Sequence, residues 1–490
     1  MEIGMSTMTT SVPAKQSFLQ NYDKRWGLVL AFAVGAIVCL MPLPDGLTPQ
    51  GQKALGLFLA LITLWATEPV PLPIISLLML PACIFLGLTK MQAALNNFAV
   101  SSIYLIGGAL IMAVGMSKTG LAERIIFLLM SKIGHTTRRI TLGITMANIV
   151  LAFMVPSTSA RTAILLPMCL GLIEIFRGAT GKSGRSNFGV SLLLILTMTN
   201  ATISAGILTA TIPNPVTADF IHKATGKLLS YQEWFMFGFP PALLMTFFTW
   251  WFVNLVFKPE INELPGGQDF IREKLRERGP VSREEWITGA IFMLVVALWM
   301  TGSITKINTT LVVIIGVCLM FIFRIITWKE ANATVAFQFM LTLGGGFLVA
   351  NLLIATGAAA WAAQQLFSAL RLEGASTLFT LIVVMLTVQY MHLPFMGTTK
   401  MTTMIIPVVI GIAEVAKISP LVIAMPAGMV IGGYPLFLFY NTIPNVLVYN
   451  TGELKFSDFP KVGFVLCTVA AIVYCITAVT YWQWLGLFNL

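Results

Sequence analysis

Two short polar stretches, PSTSARTAILLP at 156–167 and MGTTKMTTMIIP at 396–407, interrupt otherwise apolar sequence, and each carries hydroxyl side chains, one cation and a closing proline. Irregular, hydroxyl-rich backbone is tolerated at bilayer depth only where protein or a water-filled cavity covers it. A hairpin that ends at the midplane points backbone N–H groups and the positive end of its helix dipole into such a cavity. The hydroxyls of Ser157, Thr158, Ser159, Thr398 and Thr399 would add further donors, and donors of this kind bind anions. Two opposed tips would grip both ends of a small dianion. Arg161 and Lys400 sharpen the point, because a charged side chain in the hydrocarbon layer costs about 2.5 kcal/mol or more unless it is paired or hydrated. They call for a substrate carboxylate or, more plainly, for snorkelling or a structural partner.

The elements that must position these residues follow from composition. With 57% apolar and only 10% charged residues, and apolar runs of spanning length from residue 26 to 485, the chain reads as an all-α polytopic membrane protein. The short alternating strands of a barrel are absent. Spans fall near 26–44, 50–68, 72–88, 99–117, 188–222 (broken), 238–257, 286–303, 308–324, 335–355, 420–449 (broken) and 459–485, about eleven crossings. The interrupted stretches, about 140–177 and 376–416, become re-entrant hairpins. Residues 1–25 read as a cytoplasmic tail rather than a cleaved signal, followed by a first span at 26–49. The six cysteines lie in apolar segments without CxxC spacing, which points to buried thiols and to no metal site.

The net charge of +10 is orientation rather than nucleic-acid affinity. With the amino terminus inside, 21 of the 30 Lys and Arg fall in cytoplasmic segments and seven outside, which leaves Arg161 and Lys400 within the membrane. The positive-inside rule accepts this topology, with the carboxyl terminus outside the inner or plasma membrane, and rejects its inverse. The surplus charge also attracts anionic lipid. Trp234, Trp250, Trp251, Trp286, Trp482 and Trp484 are expected in an aromatic belt at the interfaces.

The chain also repeats itself. Gly107-Gly108 and Thr119-Gly120 correspond to Gly344-Gly345 and Thr356-Gly357 at an offset of 237; the hairpin motifs follow at 240, and TIPN recurs at 211–214 and 442–445. An odd number of crossings separates equivalent points, so repeat 1 (50–257) and repeat 2 (286–490) must be inverted in the membrane. The charged segment 258–285 is the cytoplasmic linker. Stretches such as 118–139 place apolar and basic residues at helical spacing and suit an interfacial arm.

The order of double glycine, interfacial helix, hydroxyl-rich hairpin and broken helix, twice over, resembles the divalent anion/sodium symporter family; LWATEPVPLPIISLLMLP (64–81) and VLVYNTGELKFSDFPKVG (446–463) are also similar. The likeness runs from about residue 50 to the carboxyl terminus. It implies scaffold and moving transport domains, a homodimer, and carriage of di- or tricarboxylates or sulfate. In that family each tip carries Ser-Asn-Thr, which holds a substrate carboxylate, while the Asn and nearby carbonyls help to bind sodium. Counting back from the closing prolines, Ser157, Thr158 and Ser159 take the first motif and Gly397, Thr398 and Thr399 the second, so both asparagines are Thr here. Thr211 and Thr442 become substrate contacts by the same resemblance, and Pro213, Asn214, Pro444 and Asn445 shape the helix breaks, with Ile212 and Ile443 where the family usually has a second proline.

Lost asparagines and gained cations suggest that Arg161 and Lys400 replace the sodium charge. Permanent positive charge makes an empty site costly to turn over, which favours obligatory anion exchange, with no cofactor, over the alternative of sodium-coupled dicarboxylate or sulfate symport. An intramembrane enzyme is remote, since no HExxH or GxSxG accompanies Ser157. A channel suits two opposed hairpins less well than alternating access does. His392, Glu68 and Glu123 read mainly as packing or pairing residues.

Overall fold

The computed structural model describes residues 24–133, 136–181, 184–334 and 337–486. The expected tail lies outside them apart from Lys24 and Arg25. Among the described residues every regular element is helical, and one isolated bridge pairs Thr136 with Glu263. Among these residues seven helices are long and apolar enough to cross a membrane, and five shorter apolar helices accompany them.

The helices form two groups. Pro49–Thr67, Leu72–Phe85, Ser101–Thr119, Arg283–Met300, Thr309–Ile322 and Phe337–Ala355 pack on one another and form a scaffold. Two hairpins form the second group with Asn187–Ser204, Pro213–Thr225, Tyr231–Val256, Pro420–Gly433, Ile443–Tyr449 and Asp458–Val479. The first hairpin is Thr137–Met154 with Thr158–Thr180, and the second is Thr377–Tyr390 with Thr398–Val415. Leu121–Ile133 and Ala358–Ala369 are the arms between the groups, each packed on the hairpin that follows it.

The repeats exchange their contacts. Ser101–Thr119 packs on Thr309–Ile322 while its counterpart Phe337–Ala355 packs on Leu72–Phe85. Pro213–Thr225 likewise packs on the second hairpin, and Ile443–Tyr449 on the first. Such reciprocity is what a pseudo-two-fold axis between repeats requires. The two broken helices cross closely, and a Cβ added at Gly428 would stand 2.2 Å from the Thr217 hydroxyl.

Two tryptophans depart from the expected belt. Trp234 and Trp482 are fully buried, and their indole N–H groups donate to the carbonyls of Ala205 (3.0 Å) and Phe237 (2.8 Å). An indole is amphipathic, so a single buried acceptor is enough to draw it inward. Trp251, Trp286 and Trp484 do face outward. Cys318 is exposed rather than buried, on the apolar surface of Thr309–Ile322.

The linker is tied to the first arm. Arg124 donates to both oxygens of Glu285 at 2.8 and 3.0 Å, and to the carbonyl of Gly279 at 2.9 Å. Glu123 of the same arm pairs with Arg278. Glu285 also closes a capping box with Ser282, accepting its N–H at 2.7 Å while the Ser282 hydroxyl accepts the Glu285 N–H at 3.1 Å. Ser282→Ala is expected to cost about 1 kcal/mol, read as a modestly lower midpoint of thermal unfolding in detergent.

Candidate functional site

Each hairpin turns at a helix start. Ser157 caps Thr158–Thr180, its hydroxyl accepting the Ala160 N–H at 3.2 Å. The first N–H groups of a helix have no intrahelical acceptor, so those of Thr158 and Ser159 are free for a ligand. At the second tip Gly397 occupies the cap position with φ 94° and ψ 122°, and no side chain caps Thr398–Val415. The Gly397 N–H donates to the Asn441 carbonyl at 3.2 Å, which ties this tip to the second helix break.

The two breaks are built alike. Asn214 donates to the carbonyls of Ser204 and Ile207, both at 2.8 Å, and Asn445 to those of Pro435 (3.2 Å) and Leu438 (3.3 Å). Pro213 and Pro444 stand in the first turn of the helices that resume, where a missing N–H does no harm. Thr211 lies in the first break, and Thr442 is the cap residue after the second.

All eight hydroxyl and glycine positions read from the sequence converge. Ser157, Thr158, Ser159, Thr211, Gly397, Thr398, Thr399 and Thr442 line one cavity of about 160 Å³, completed by Leu110, Pro156, Ile212, Ile443 and Pro444. No lining residue carries a charge. Seven hydroxyl-bearing residues and the starts of Thr158–Thr180, Pro213–Thr225 and Thr398–Val415 meet there, so donors and positive dipole ends dominate it.

The two cations lie outside this cavity and differ from each other. Arg161 is fully buried, and its Nη2 donates to the Ser204 hydroxyl at 2.6 Å and the Ala210 carbonyl at 3.0 Å. Its Nε and Nη1 have no hydrogen-bond partner and it forms no ion pair among the described residues. Direct contact with a substrate in the cavity is therefore not the arrangement seen for Arg161. Lys400 does have a counter-charge, donating to Glu68 Oε1 at 2.7 Å and to the Trp65 carbonyl at 3.1 Å. The plainer expectation of a paired cation thus applies to Lys400, through a glutamate at the end of Pro49–Thr67.

Cavities flank the site on two sides. One of about 530 Å³ runs from Ser157 and Ala160 past Ser117 to Lys118 and Glu330. Another of about 560 Å³ includes Thr399, Lys400, Trp65, Gln338 and Ile443. Leu110 borders all three. Lys118 and Glu330 pair at 2.9 Å, and this contact with the Thr327 amide and hydroxyl holds the Glu330 carboxyl down to about 2, so that carboxylate stays charged near neutral pH.

Two amides that sequence reading passed over hold the tips. Asn200 donates to the Thr158 carbonyl (2.7 Å) and Thr162 hydroxyl (2.9 Å), and Asn441 to the carbonyls of His392 (2.7 Å) and Phe395 (3.3 Å). An asparagine inside an apolar run, as in TMTNATIS or FLFYNTIP, was the available signal. His392 itself is buried beside the Gln389 and Ile431 carbonyls and does not line the cavity.

Comparison with known proteins gives a consistent result. The sodium:sulfate symporter transmembrane region matches residues 22–488. The sodium-dependent dicarboxylate transporter SdcS of Staphylococcus saprophyticus is 28% identical over 94% of this chain and 91% of its own length. The citrate/succinate antiporter of Escherichia coli K12 is 26% identical over 90% of this chain and 94% of its own. In fold, the YdaH transporter of Alcanivorax borkumensis, whose crystal structure is described as having an unusual topology, superposes with a TM-score of 0.57 at 12% identity, covering 95% of this chain and 99% of that one.

Proposed function

Because the chain belongs to the sodium:sulfate symporter family, we propose that this membrane transporter carries small divalent organic anions, C4/C5 dicarboxylates or tricarboxylates, by alternating access and anion exchange without sodium. The observation that carries the reading is the uncharged, donor-lined cavity between two hairpin tips, with Arg161 fixed beside it. Carboxylates would accept from the tip amides and hydroxyls at both ends. The tip hydroxyls with Thr211 and Thr442 are the substrate contacts in this reading.

Sodium-coupled symport is the second reading, since one relative bears a sodium-dependent name and another an antiporter name. Arg161 favours exchange. Its guanidinium occupies a hydroxyl and a carbonyl oxygen of the first helix break, the type of oxygen that holds sodium in broken-helix carriers. A fixed cation there supplies the field of a bound ion and cannot leave with the substrate. An enzyme is disfavoured, because no His, Asp or Glu lines the cavity to activate Ser157.

In this reading the amino terminus lies in the cytoplasm and the carboxyl terminus outside, in an inner or plasma membrane, with a homodimer formed through the scaffold. On that topology Lys118, Glu330 and Glu68 fall at the cytoplasmic ends of their spans, and the second hairpin is seated against Phe337–Ala355 and Ala358–Ala369. Counterflow in proteoliposomes tests the proposal. Labelled succinate or citrate should enter only vesicles preloaded with di- or tricarboxylate, at a rate independent of sodium. Sodium-dependent uptake into vesicles lacking internal substrate would replace exchange with symport.

A further inference from the structure

We propose that Glu68 is an internal competitor of the substrate: a scaffold carboxylate that neutralises Lys400 while the site is empty and yields it when a substrate carboxylate arrives. The inference rests on the exchange reading and names the group that enforces it.

The geometry of the pair is specific. Glu68 follows Pro49–Thr67 in a left-handed conformation, φ 45° and ψ 55°, with its N–H held by the Leu64 carbonyl at 2.9 Å. This is a helix-ending conformation that Lys306, Arg324, Arg371 and Lys417 share, and it fixes where the Glu68 side chain leaves the scaffold. Lys400 reaches it from the third residue of the second hairpin's inner helix. Thr399, the neighbour of Lys400, lines the site, and both residues line the adjoining 560 Å³ cavity. The Lys400 side chain is 16% exposed and that of Glu68 is 50% exposed, so a dissolved anion can approach the pair.

Among the ion pairs of the described residues, this one is set apart by joining the hairpin group to the scaffold, where Lys223 with Asn351 and Asp219 with the Ser102 N–H also make hydrogen bonds. Arg177–Glu453, Arg185–Asp458 and Lys227–Glu233 each lie within the hairpin group, Lys118–Glu330 lies within the scaffold, and Arg161 is bound to oxygens of its own group. Lys400–Glu68 joins a hairpin tip to the scaffold. When the hairpin group moves, Arg161 keeps its partners and Lys400 leaves its carboxylate behind. An ammonium separated from its partner at bilayer depth is costly, so the empty carrier stays pinned. A substrate carboxylate that replaces Glu68 supplies a counter-charge that travels with the tip. Obligatory exchange then arises from one glutamate that stays on the scaffold.

Removing the Glu68 charge raises the pinned state alone, which predicts tighter binding and looser coupling together. The test uses purified full-length protein with succinate and citrate as probes, comparing the parent, Glu68→Gln and Glu68→Asp. Calorimetric titration reads binding, and efflux of labelled probe from proteoliposomes is followed into medium with and without external substrate. Glu68→Gln should bind about tenfold more tightly, the factor for a pair closed in roughly nine empty carriers of ten. Its efflux into substrate-free medium should rise toward the exchange rate. Glu68→Asp keeps the charge and should restore weaker binding and strict exchange. Unchanged or weaker binding in Glu68→Gln, or efflux that still requires external substrate, overturns the inference while parent exchange leaves the functional reading intact. A parent that neither binds nor exchanges either probe overturns both.

Discussion

Arg161→Ala is expected to lower sodium-free exchange at least about a hundredfold while leaving a folded protein. The guanidinium makes two charge-assisted hydrogen bonds, to Ser204 and Ala210, inside the first helix break. Each such bond contributes about 1.5 kcal/mol or more, and roughly 3 kcal/mol corresponds to a hundredfold. The loss falls on the break that carries Thr211 toward the site, because Arg161 lies one turn below the first tip and links it to residues 204 and 210. Alanine also uncovers the Ser204 hydroxyl and the Ala210 carbonyl oxygen. Sodium added to Arg161→Ala should therefore restore part of the transport, and the parent should be indifferent to it. Exchange rates in proteoliposomes with sodium or an impermeant organic cation read both outcomes. Full sodium-free exchange in Arg161→Ala would return the residue to a packing role.

Gly397→Ala is the second large expectation, and it isolates backbone geometry. At φ 94° and ψ 122° the residue occupies a region that side chains other than hydrogen rarely adopt. Yet a Cβ added there meets nothing within 4 Å. The substitution is therefore strained without being crowded, at about 1–3 kcal/mol. The tip can relieve that strain by turning, which moves the Thr398 and Thr399 amides away from the cavity and breaks the Gly397–Asn441 hydrogen bond. Transport should fall about five- to a hundredfold on the energy just given, at 1.4 kcal/mol per decade, with the purified protein still monodisperse. The first tip has no equivalent sensitivity, since Ser157 sits at φ −139°, open to any residue. Exchange kinetics and size-exclusion profiles of Gly397→Ala beside Ser157→Ala make the comparison; equal, mild losses would show that the second tip does not depend on its backbone.

The site was legible in the sequence to an unusual degree for a simple reason. At bilayer depth a run of hydroxyls, a proline or an asparagine must be covered, so polar residues advertise the cavity they line. Thr211 and Thr442 were placed with Ser157 and Thr398 by the family resemblance, while the duplication supplied a second copy of each landmark. Trp234 and Trp482 show where this reasoning stops. Their positions near span ends suggested the interface, but the acceptors that bury them, Ala205 and Phe237, belong to other segments.

Composition, hydropathy and internal repetition by themselves determined the helical membrane class and the two hairpins, and the family motif within the sequence supplied the set of residues that meet between them. The class and the hairpins are responses to the average surroundings of a segment, lipid or water, and every residue of a span reports them. The fates of the two cations were decided only by tertiary structure. Arg161 and Lys400 occupy comparable places in two related motifs, yet one is held by oxygens of its own group and the other by Glu68, 332 residues away. Ion pairing falls off within a few ångströms. Which carboxylate comes that close depends on how the scaffold and the hairpins pack, and no local pattern of residues carries that distance.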